Sequence, residues 1–356
     1  MKRSYPCIEA NLNKIKHNTS TILEICQRLG IDVVGVTKVF CAQKPIVNSM
    51  IEGGLKVIGD SRLSNLKRVS EAKCEKLLLR IPMESDASSV VKYADISLNS
   101  EVETVKKLAK AAKRANKIHK VILMIDLGDL REGVLEYDVL DAAKEITRLP
   151  NIELVGVGTN LTCYGGVLPD EENLSKLIAI KEKIERVLEI KLPIISGGNS
   201  SSLYMVMDNT MPKGVNQLRL GESIVLGRET AYGKEVPNAH KDCFILKGEI
   251  IEIKNKPSVP TGKIGLDAFG EVPKFEDRGV IKRAIIALGR QDIKVDGITP
   301  LDSGIGVLGA SSDHLILDVT ESKYDYRVGD VVDFYMDYGC LLQAMTSPYV
   351  SKYYVG

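Results

Sequence analysis

The chain of 356 residues reads as an α/β protein, a closed TIM-like (β/α)8 barrel followed by a small all-β domain. Three observations predict this. Short apolar runs alternate with amphipathic helical stretches about eight times over roughly 230 residues, the size of such a barrel. After Gly233 apolar stretches shorten and no helical period persists. The length also exceeds what one hydrophobic core usually serves, so two domains are expected. The expected division is 1–233 for the barrel and 234–356 for the β domain, with the opening strand a candidate member of the latter. An open doubly wound sheet is the alternative to the closed barrel.

The elements follow in order. Ile8-Glu9-Ala10 forms an opening strand, and Asn11 or Asn13 caps a helix that runs to about Leu29 and stops at Gly30. Val33 to Lys38 is a short apolar run bounded by Asp32, which predicts a buried strand whose last residue is a lysine. Pro45 opens a second helix that Gly53-Gly54 stops. Strands are then expected at 56–60, 77–80, 95–98, 119–126, 152–158, 194–196 and 217–219. Helices are expected at 63–69, 87–93, 102–115, 139–148 and 171–188. In the last third, 244–253, 280–288, 315–319 and 331–336 read as strands between Gly, Pro and Asp turns.

Composition narrows the function. With 44% apolar and 27% charged residues and a net charge of +1, the chain gives no reason to expect nucleic acid or an anionic membrane as partner. No apolar run is long enough to span a bilayer. The basic opening is followed by no apolar segment, so no secretory leader is expected. Seven scattered cysteines without a CxxC pair disfavour disulfide frameworks and structural zinc, and a reducing cytoplasm is expected. Four histidines (17, 119, 240 and 314) lie far apart without ligand spacing, so no metal site is expected.

In a barrel the chemistry sits at the carboxyl ends of the strands. Lys38, Asp126, Arg131, Asn160, Asn199, Ser200 and Arg219 all fall at or just after such ends. An amine held there out of water becomes a nucleophile toward aldehydes; the plainer alternative is a lysine that simply reaches solvent. Ser196-Gly197-Gly198-Asn199-Ser200-Ser201-Ser202 can cradle an anion, through close backbone approach, hydroxyl donors and free N–H groups. No Gly-Lys-Ser/Thr follows, so a nucleotide triphosphate is not favoured. Arg219 stands two residues before Gly221 and Glu222, whose N–H groups could serve the same anion. Arg131, after the strongest strand, could hold a carboxylate or a phenolic oxygen. Each has a structural alternative: a capping serine turn, a surface ion pair, an inter-loop salt bridge.

The joint order of these segments resembles the alanine racemase-like enzymes, fold type III pyridoxal-phosphate (PLP) proteins, and within them the ornithine racemase branch. The segments are Gly-Val-Thr-Lys38-Val-Phe-Cys-Ala, Asp-Leu-Gly-Asp-Leu-Arg131-Glu-Gly, Gly-Thr-Asn160-Leu-Thr-Cys-Tyr-Gly-Gly, Ser-Gly-Gly-Asn-Ser200-Ser-Ser, Leu-Arg219-Leu-Gly-Glu and Ser-Ser-Asp313-His-Leu-Ile-Leu-Asp. The resemblance implies that Lys38 forms the PLP Schiff base and acts as base on one face of the substrate. It implies that Arg219 stands beside the pyridine nitrogen. Ser200, Gly221 and Glu222 would hold the phosphate, with Asn199 and Ser201 in the same turn. Arg131 would lie near the phenolic oxygen and the substrate carboxylate, Asn160 in the position of a ring-packing histidine, and Tyr338 as a phosphate contact from the β domain.

The chain also departs from that pattern. Ala42 stands about where the family has a tyrosine, and Met124 where many alanine racemases have a modified lysine. The opposite-face tyrosine, supplied by a partner subunit, has no counterpart; Pro260-Thr261-Gly262 lies about there. Asp267 and Asp313 are the nearest carboxylate candidates for that base, with turn residues or a β-domain ion pair as their alternative. The resemblance favours ornithine over lysine or alanine, for whose cationic side chain Asp267, Glu271, Asp277 and Asp313 are on offer. A homodimer with shared active sites is expected. A PLP-dependent basic amino-acid decarboxylase and a non-enzymatic PLP-binding homeostasis protein are the competing readings.

Overall fold

The computed structural model describes residues 3–266, 269–270 and 272–356. The chain forms two compact units: Leu12–Lys241, and Asp242–Gly356 together with the segment up to Asn11. The division thus falls at 241/242, not at 233/234. Residues 234–241 stay with the first unit because Val236 N–H donates to the Gly227 carbonyl at 2.8 Å and His240 N–H to the Asn18 side chain at 2.7 Å. Buried Asn18 in turn donates to the carbonyls of Ile224 and His240, at 2.9 and 2.8 Å.

The opening strand β1 (Cys7–Asn11) belongs to the second unit. The first unit is a closed barrel of β2 (Asp32–Val36), β3 (Val57–Asp60), β4 (Glu75–Leu78), β5 (Ile96–Asn99), β6 (His119–Met124), β7 (Ile152–Gly158), β8 (Ile194–Ser196) and β9 (Gln217–Leu220). Neighbours are parallel throughout, and β9 closes onto β2 with Val34 opposite Arg219. Between the strands run α1 (Leu12–Gln27), α2 (Lys44–Glu52), α3 (Leu63–Arg68), α4 (Ala87–Tyr93), α5 (Val102–Arg114), α6 (Val139–Thr147), α7 (Glu171–Leu188) and α8 (Leu203–Met207), with α9 (Glu222–Leu226) after β9.

Strand alternation sorts the core into two layers. Ile122 and Met124 of β6 point into the barrel, against Val34, Leu77, Leu98 and Val155. Val121 and Leu123 point outward, into a layer with Ala143, Leu174 and Leu177 of the surrounding helices. α5 buries Val105, Leu108, Ala109 and Ala112 and turns its lysines to solvent. α7 starts at a reciprocal cap, in which the Asp170 side chain accepts from Asn173 N–H at 2.8 Å and the Asn173 side chain accepts from Asp170 N–H at 3.0 Å.

Two boundaries move in ways that matter. β4 ends at Leu78, before the expected Leu79-Arg80. β2 ends at Val36, so Lys38 is not a strand residue; it opens a 3-10 turn, Lys38–Phe40.

The second unit is an antiparallel sheet in the order β12 (Ile298–Pro300), β15 (Val331–Met336), β10 (Phe244–Pro257), β11 (Val280–Ile286), β14 (Leu315–Asp318), β13 (Gly306–Ala310). β1 pairs antiparallel with β10 and parallel with β16 (Ser351–Val355). Strands β12, β13 and β16 are not anticipated from the sequence. The unit also carries a helix, α10 (Tyr338–Thr346), where an all-β domain was expected. Its start is local chemistry: the Asp337 side chain accepts from Cys340 N–H at 2.7 Å.

Candidate active site

The carboxyl ends of β2 and β3 place the lysine. After β2 the chain turns sharply, with Cys41 and Ala42 both in the left-handed region at φ 54° and 46°. Lys38 is half-buried in this turn. Beside it Thr37 donates its hydroxyl to Asp60 at 2.6 Å. Asp60 ends β3 and is wholly buried. It also accepts from Arg62 N–H at 2.8 Å and from the Asn65 amide at 3.0 and 3.1 Å. Burial pushes its pKa up, against the pull of these hydrogen bonds and of the Lys38 charge. Sequence reading missed Asp60; its only local signal was an aspartate ending an apolar strand.

The ends of β6, β7 and β9 carry two arginines of opposite character. Arg219 is 3% exposed. It donates to the Thr159 carbonyl at 2.5 Å, the Asn160 side-chain oxygen at 2.6 Å, the Ser196 carbonyl at 3.3 Å and the Ser196 hydroxyl. None of these bonds uses its Nε. Burial pulls its pKa down to about 10, so it is still a cation at neutral pH. Arg131 is exposed and donates through Nε and Nη2 to the carboxylate of its neighbour Glu132, whose hydrogen bonds hold it firmly protonated. The Asn160 amide donates to the same carboxylate. A continuous polar chain, Arg131–Glu132–Asn160–Arg219, therefore crosses the strand ends. Glu132 was not anticipated, because a surface partner for Arg131 and a bridge to Asn160 look alike in sequence. Asp129, almost fully buried, accepts from Tyr164 N–H at 3.0 Å and ties the loop after β7 to the one after β6.

The turn after β8 makes the anion cradle. Gly198 has φ +118°, and a Cβ there would strike the Ser202 hydroxyl, so only glycine fits. Asn199 accepts from Ser201 N–H at 2.8 Å and donates to the Leu161 carbonyl at 3.0 Å. The Ser200 hydroxyl oxygen accepts from Gly221 N–H at 3.3 Å and Ser223 N–H at 3.2 Å. A Cβ on Gly221 would come 3.0 Å from Val36 Cβ, which keeps this strand end close to β2. The Glu222 side chain is turned to Arg228, accepting at 2.9 and 3.1 Å. The hydroxyls of Ser201, Ser223 and Thr159 are buried without a hydrogen-bond partner. Buried polar groups are seldom left so, and the orphaned hydroxyls of Ser201, next to Ser200, and of Ser223, whose N–H donates to Ser200, fit a phosphate group. With an amine in the turn after β2 and a buried cation on β9, the residues fit PLP. Ser223 and Thr159 carry no motif in the sequence.

A free cysteine is by default a buried small hydrophobe, and Cys41 and Cys163 depart from that. Cys163 is exposed and Cys41 half-buried. The Cys163 sulfur accepts from the Asn199 amide at 3.3 Å. Sequence cannot separate a core cysteine from one on a loop that returns to the barrel mouth.

The remaining candidates lie in the second unit. Tyr338 is the first residue of α10. Asp313 is exposed in the turn between β13 and β14, 2.7 Å from the His314 ring nitrogen, whose hydrogen bond holds its pKa down. A lowered pKa makes a weaker base, so Asp313 has the character of a turn residue. Asp277 accepts from Gly279 N–H at 2.9 Å and the Ser258 hydroxyl at 3.2 Å. Asp267 and Glu271 lie outside the described residues. Among the described residues no helix is long and apolar enough to cross a membrane, and no cluster of side chains could hold a metal ion.

Comparison with known proteins agrees with this geometry. Residues 10–229 match the alanine racemase N-terminal domain model. An ornithine racemase of Acetoanaerobium sticklandii is 48% identical over 349 residues, 98% of this chain and 99% of that protein. A lysine racemase of Thermotoga maritima is 44% identical over 352 residues, 98% of each chain. Among solved structures, alanine racemase from Streptomyces coelicolor superposes with a TM-score of 0.76 at 14% identity, covering 98% of both chains. Alanine racemase from Bartonella henselae, with covalently bound pyridoxal phosphate, gives 0.74 at 15% identity over 99% of this chain and 100% of that one. These two share the fold. With the barrel, the strand-end lysine and the arginine of β9 in place, the chain belongs to the alanine racemase N-terminal domain family.

Proposed function

We propose that the protein is a PLP-dependent amino-acid racemase that interconverts the L and D forms of ornithine. What carries the reading is near-full-length likeness to an ornithine racemase, 48% identical over 98% of the chain. The site chemistry supports it independently.

PLP would supply the electron sink that makes an α-proton removable at neutral pH. The chain's own residues do the rest. Lys38 is the covalent attachment point and, once displaced, takes or returns the α-proton on one face through Nζ. Arg219 would partner the ring nitrogen of bound PLP and, as a cation that keeps its proton, would withhold one from it. That weakens the sink and limits side reactions such as transamination. Ser200, Ser201 and the N–H groups of Gly221 and Glu222 hold the phosphate, with Asn199 fixing their turn. Arg131 would take the substrate carboxylate, and Asn160, held between Glu132 and Arg219, would lie beside the ring of bound PLP. The protein acts in the cytoplasm as a homodimer in which the β domain of a second copy closes the barrel mouth. Asp267 is the proposed source of the opposite-face proton and also suits a cationic side chain, whereas Asp313, held at a lowered pKa by His314 in its turn, is not such a source.

The test is solvent-deuterium exchange at Cα over a panel of free amino acids, with carbon dioxide and optical rotation followed together. Ornithine should exchange fastest and lose rotation without releasing carbon dioxide. Borohydride trapping should label Lys38, and Lys38→Ala should lower turnover by about 10³-fold or more. Carbon dioxide release would make the protein a decarboxylase. Full cofactor occupancy without exchange of any amino acid would make it a PLP-binding protein without this activity.

A further inference from the structure

We propose that Glu132 is a positioning residue for the substrate carboxylate: it clamps one edge of the Arg131 guanidinium and leaves the other edge set to bind. This rests on the reading of Arg131 as the group that takes that carboxylate.

The clamp uses one side of a planar fork. Arg131 donates through Nε to one oxygen of Glu132 and through Nη2 to the other, the second bond at 2.6 Å. A guanidinium offers five N–H groups in fixed directions, and Nε with Nη2 forms one of its two bidentate edges. Among the described residues Arg131 makes no hydrogen bond through Nη1. The Nη1–Nη2 edge is therefore open to a second carboxylate, in the geometry that suits one.

An exposed arginine loses rotamer freedom when it binds, and fixing it beforehand removes that cost. Glu132 can be the fixed part. Its side chain is 17% exposed against 41% for Arg131. Its loop is pinned on both sides. Asp126 accepts from the N–H groups of Gly128 and Leu130, at 2.8 and 3.2 Å. Val134 N–H donates to the Met124 carbonyl at 2.8 Å, and Gly133, at φ +143°, lies so close to Asp126 that a Cβ would strike its backbone. The Glu132 carboxylate itself accepts from the Asn160 amide. That amide is held in turn, because its oxygen accepts from buried Arg219 at 2.6 Å. The Asp129 carboxylate, which also bears on Arg131, is engaged by the N–H groups of Tyr164 and Val167, at 3.0 and 3.4 Å. A plain surface ion pair would have the reverse consequence: it would keep Arg131 from substrate, and its loss would free the guanidinium to bind better.

The test is Glu132→Gln in the full-length, cofactor-loaded protein. Oε1 already accepts from both Asn160 and Arg131 Nη2, so glutamine can keep those two bonds. It loses the charge and turns an amide N–H against Arg131 Nε, which opens the clamp. KM for ornithine should rise about tenfold, with kcat changed by less than about threefold. Inhibition by 1,4-diaminobutane, which has the amines of ornithine without its carboxylate, should change by less than about twofold. In an Arg131→Met background the same substitution should move KM by less than about twofold, because nothing is left to clamp. A readout without turnover is phenylglyoxal modification of the cofactor-stripped protein, quantified by peptide mass spectrometry against the exposed Arg186 of α7. Arg131 should react about fivefold faster in Glu132→Gln. An unchanged or lowered KM, an equal loss for diaminobutane, the same KM effect in the Arg131→Met background or an unchanged phenylglyoxal rate would each overturn the proposal. If Glu132→Gln does not fold, Glu132→Asp, which keeps the charge and withdraws both oxygens by one methylene, is read by the same outcomes. A wild type that exchanges the α-proton of no amino acid would sink the racemase reading alone, because the phenylglyoxal rates report on the clamp without turnover.

Discussion

At the amino ends of the barrel strands, Val33, Val34, Val57, Ile96 and Ile194 line a cavity of about 890 Å³ rimmed by charged residues such as Glu24 and Arg28. At the carboxyl ends Arg219, Asp60 and three unpartnered hydroxyls are buried among polar loops. A roomy hollow thus lies at the end away from the proposed chemistry. Volume alone misdirects here, whereas buried charge and orphaned hydroxyls mark the site. Such groups are costly to bury. Their concentration at one end signals a constellation held for a ligand, while the other end is built for packing.

Four substitutions sharpen or break this contrast. The largest effect should come from Arg219→Leu, which leaves the Asn160 and Ser196 acceptors without their donor. It should lower unfolding free energy by about 3 kcal/mol or more in urea titration and reduce racemisation at least about 10²-fold. Stable, active Arg219→Leu would break the assignment of this end as the site.

Next comes acid stability at the opposite end. His119 opens β6, is buried against the Ser97 hydroxyl at 2.8 Å, and burial lowers its pKa to about 4. The unfolded chain therefore takes up this proton first as pH falls. The contribution is full above about pH 6.5 and is lost as pH drops toward 4, amounting to about 3 kcal/mol. Urea midpoints at pH 7 and pH 4.5 should draw together in His119→Gln by that margin relative to wild type.

Smaller still, Val34→Ala in the barrel interior should cost about 1–2 kcal/mol in stability and leave kcat and KM unchanged. A change in either constant would couple the amino-end packing to the site. The smallest effect has the opposite sign. Ser223→Ala removes an orphaned hydroxyl and should stabilise the cofactor-free protein by up to about 1 kcal/mol, while PLP dissociates several-fold faster. Loss of stability together with unchanged PLP retention would mean that this hydroxyl has a role in the fold instead.

Legibility followed the range of the interactions. Lys38, Arg219 and the Gly-Asn-Ser turn could be found because each sits at a strand end that local periodicity defines. Glu132 could not be told from any surface partner of Arg131 until β7 brought Asn160 alongside. Asp60 reads as an ordinary strand terminator until β2 and β3 pair and set Thr37 against it. Cys163 looked like core because its loop gave no hint that it returns to the mouth. The division at 241/242 depended on Asn18, more than two hundred residues away, holding His240.

The sequence by itself determined the order of strands and helices, the barrel, the strand-end lysine and arginines, and the glycines of the anion cradle. These follow from side-chain periodicity and backbone freedom, properties of neighbouring residues. The tertiary structure alone decided which carboxylate anchors Thr37 beside the lysine, how Glu132 and Asn160 bridge two arginines, which hydroxyls are left without partners, and that β1 joins the far end of the chain. Each depends on groups brought together by strand pairing across long separations, and such proximity leaves no trace in local pattern.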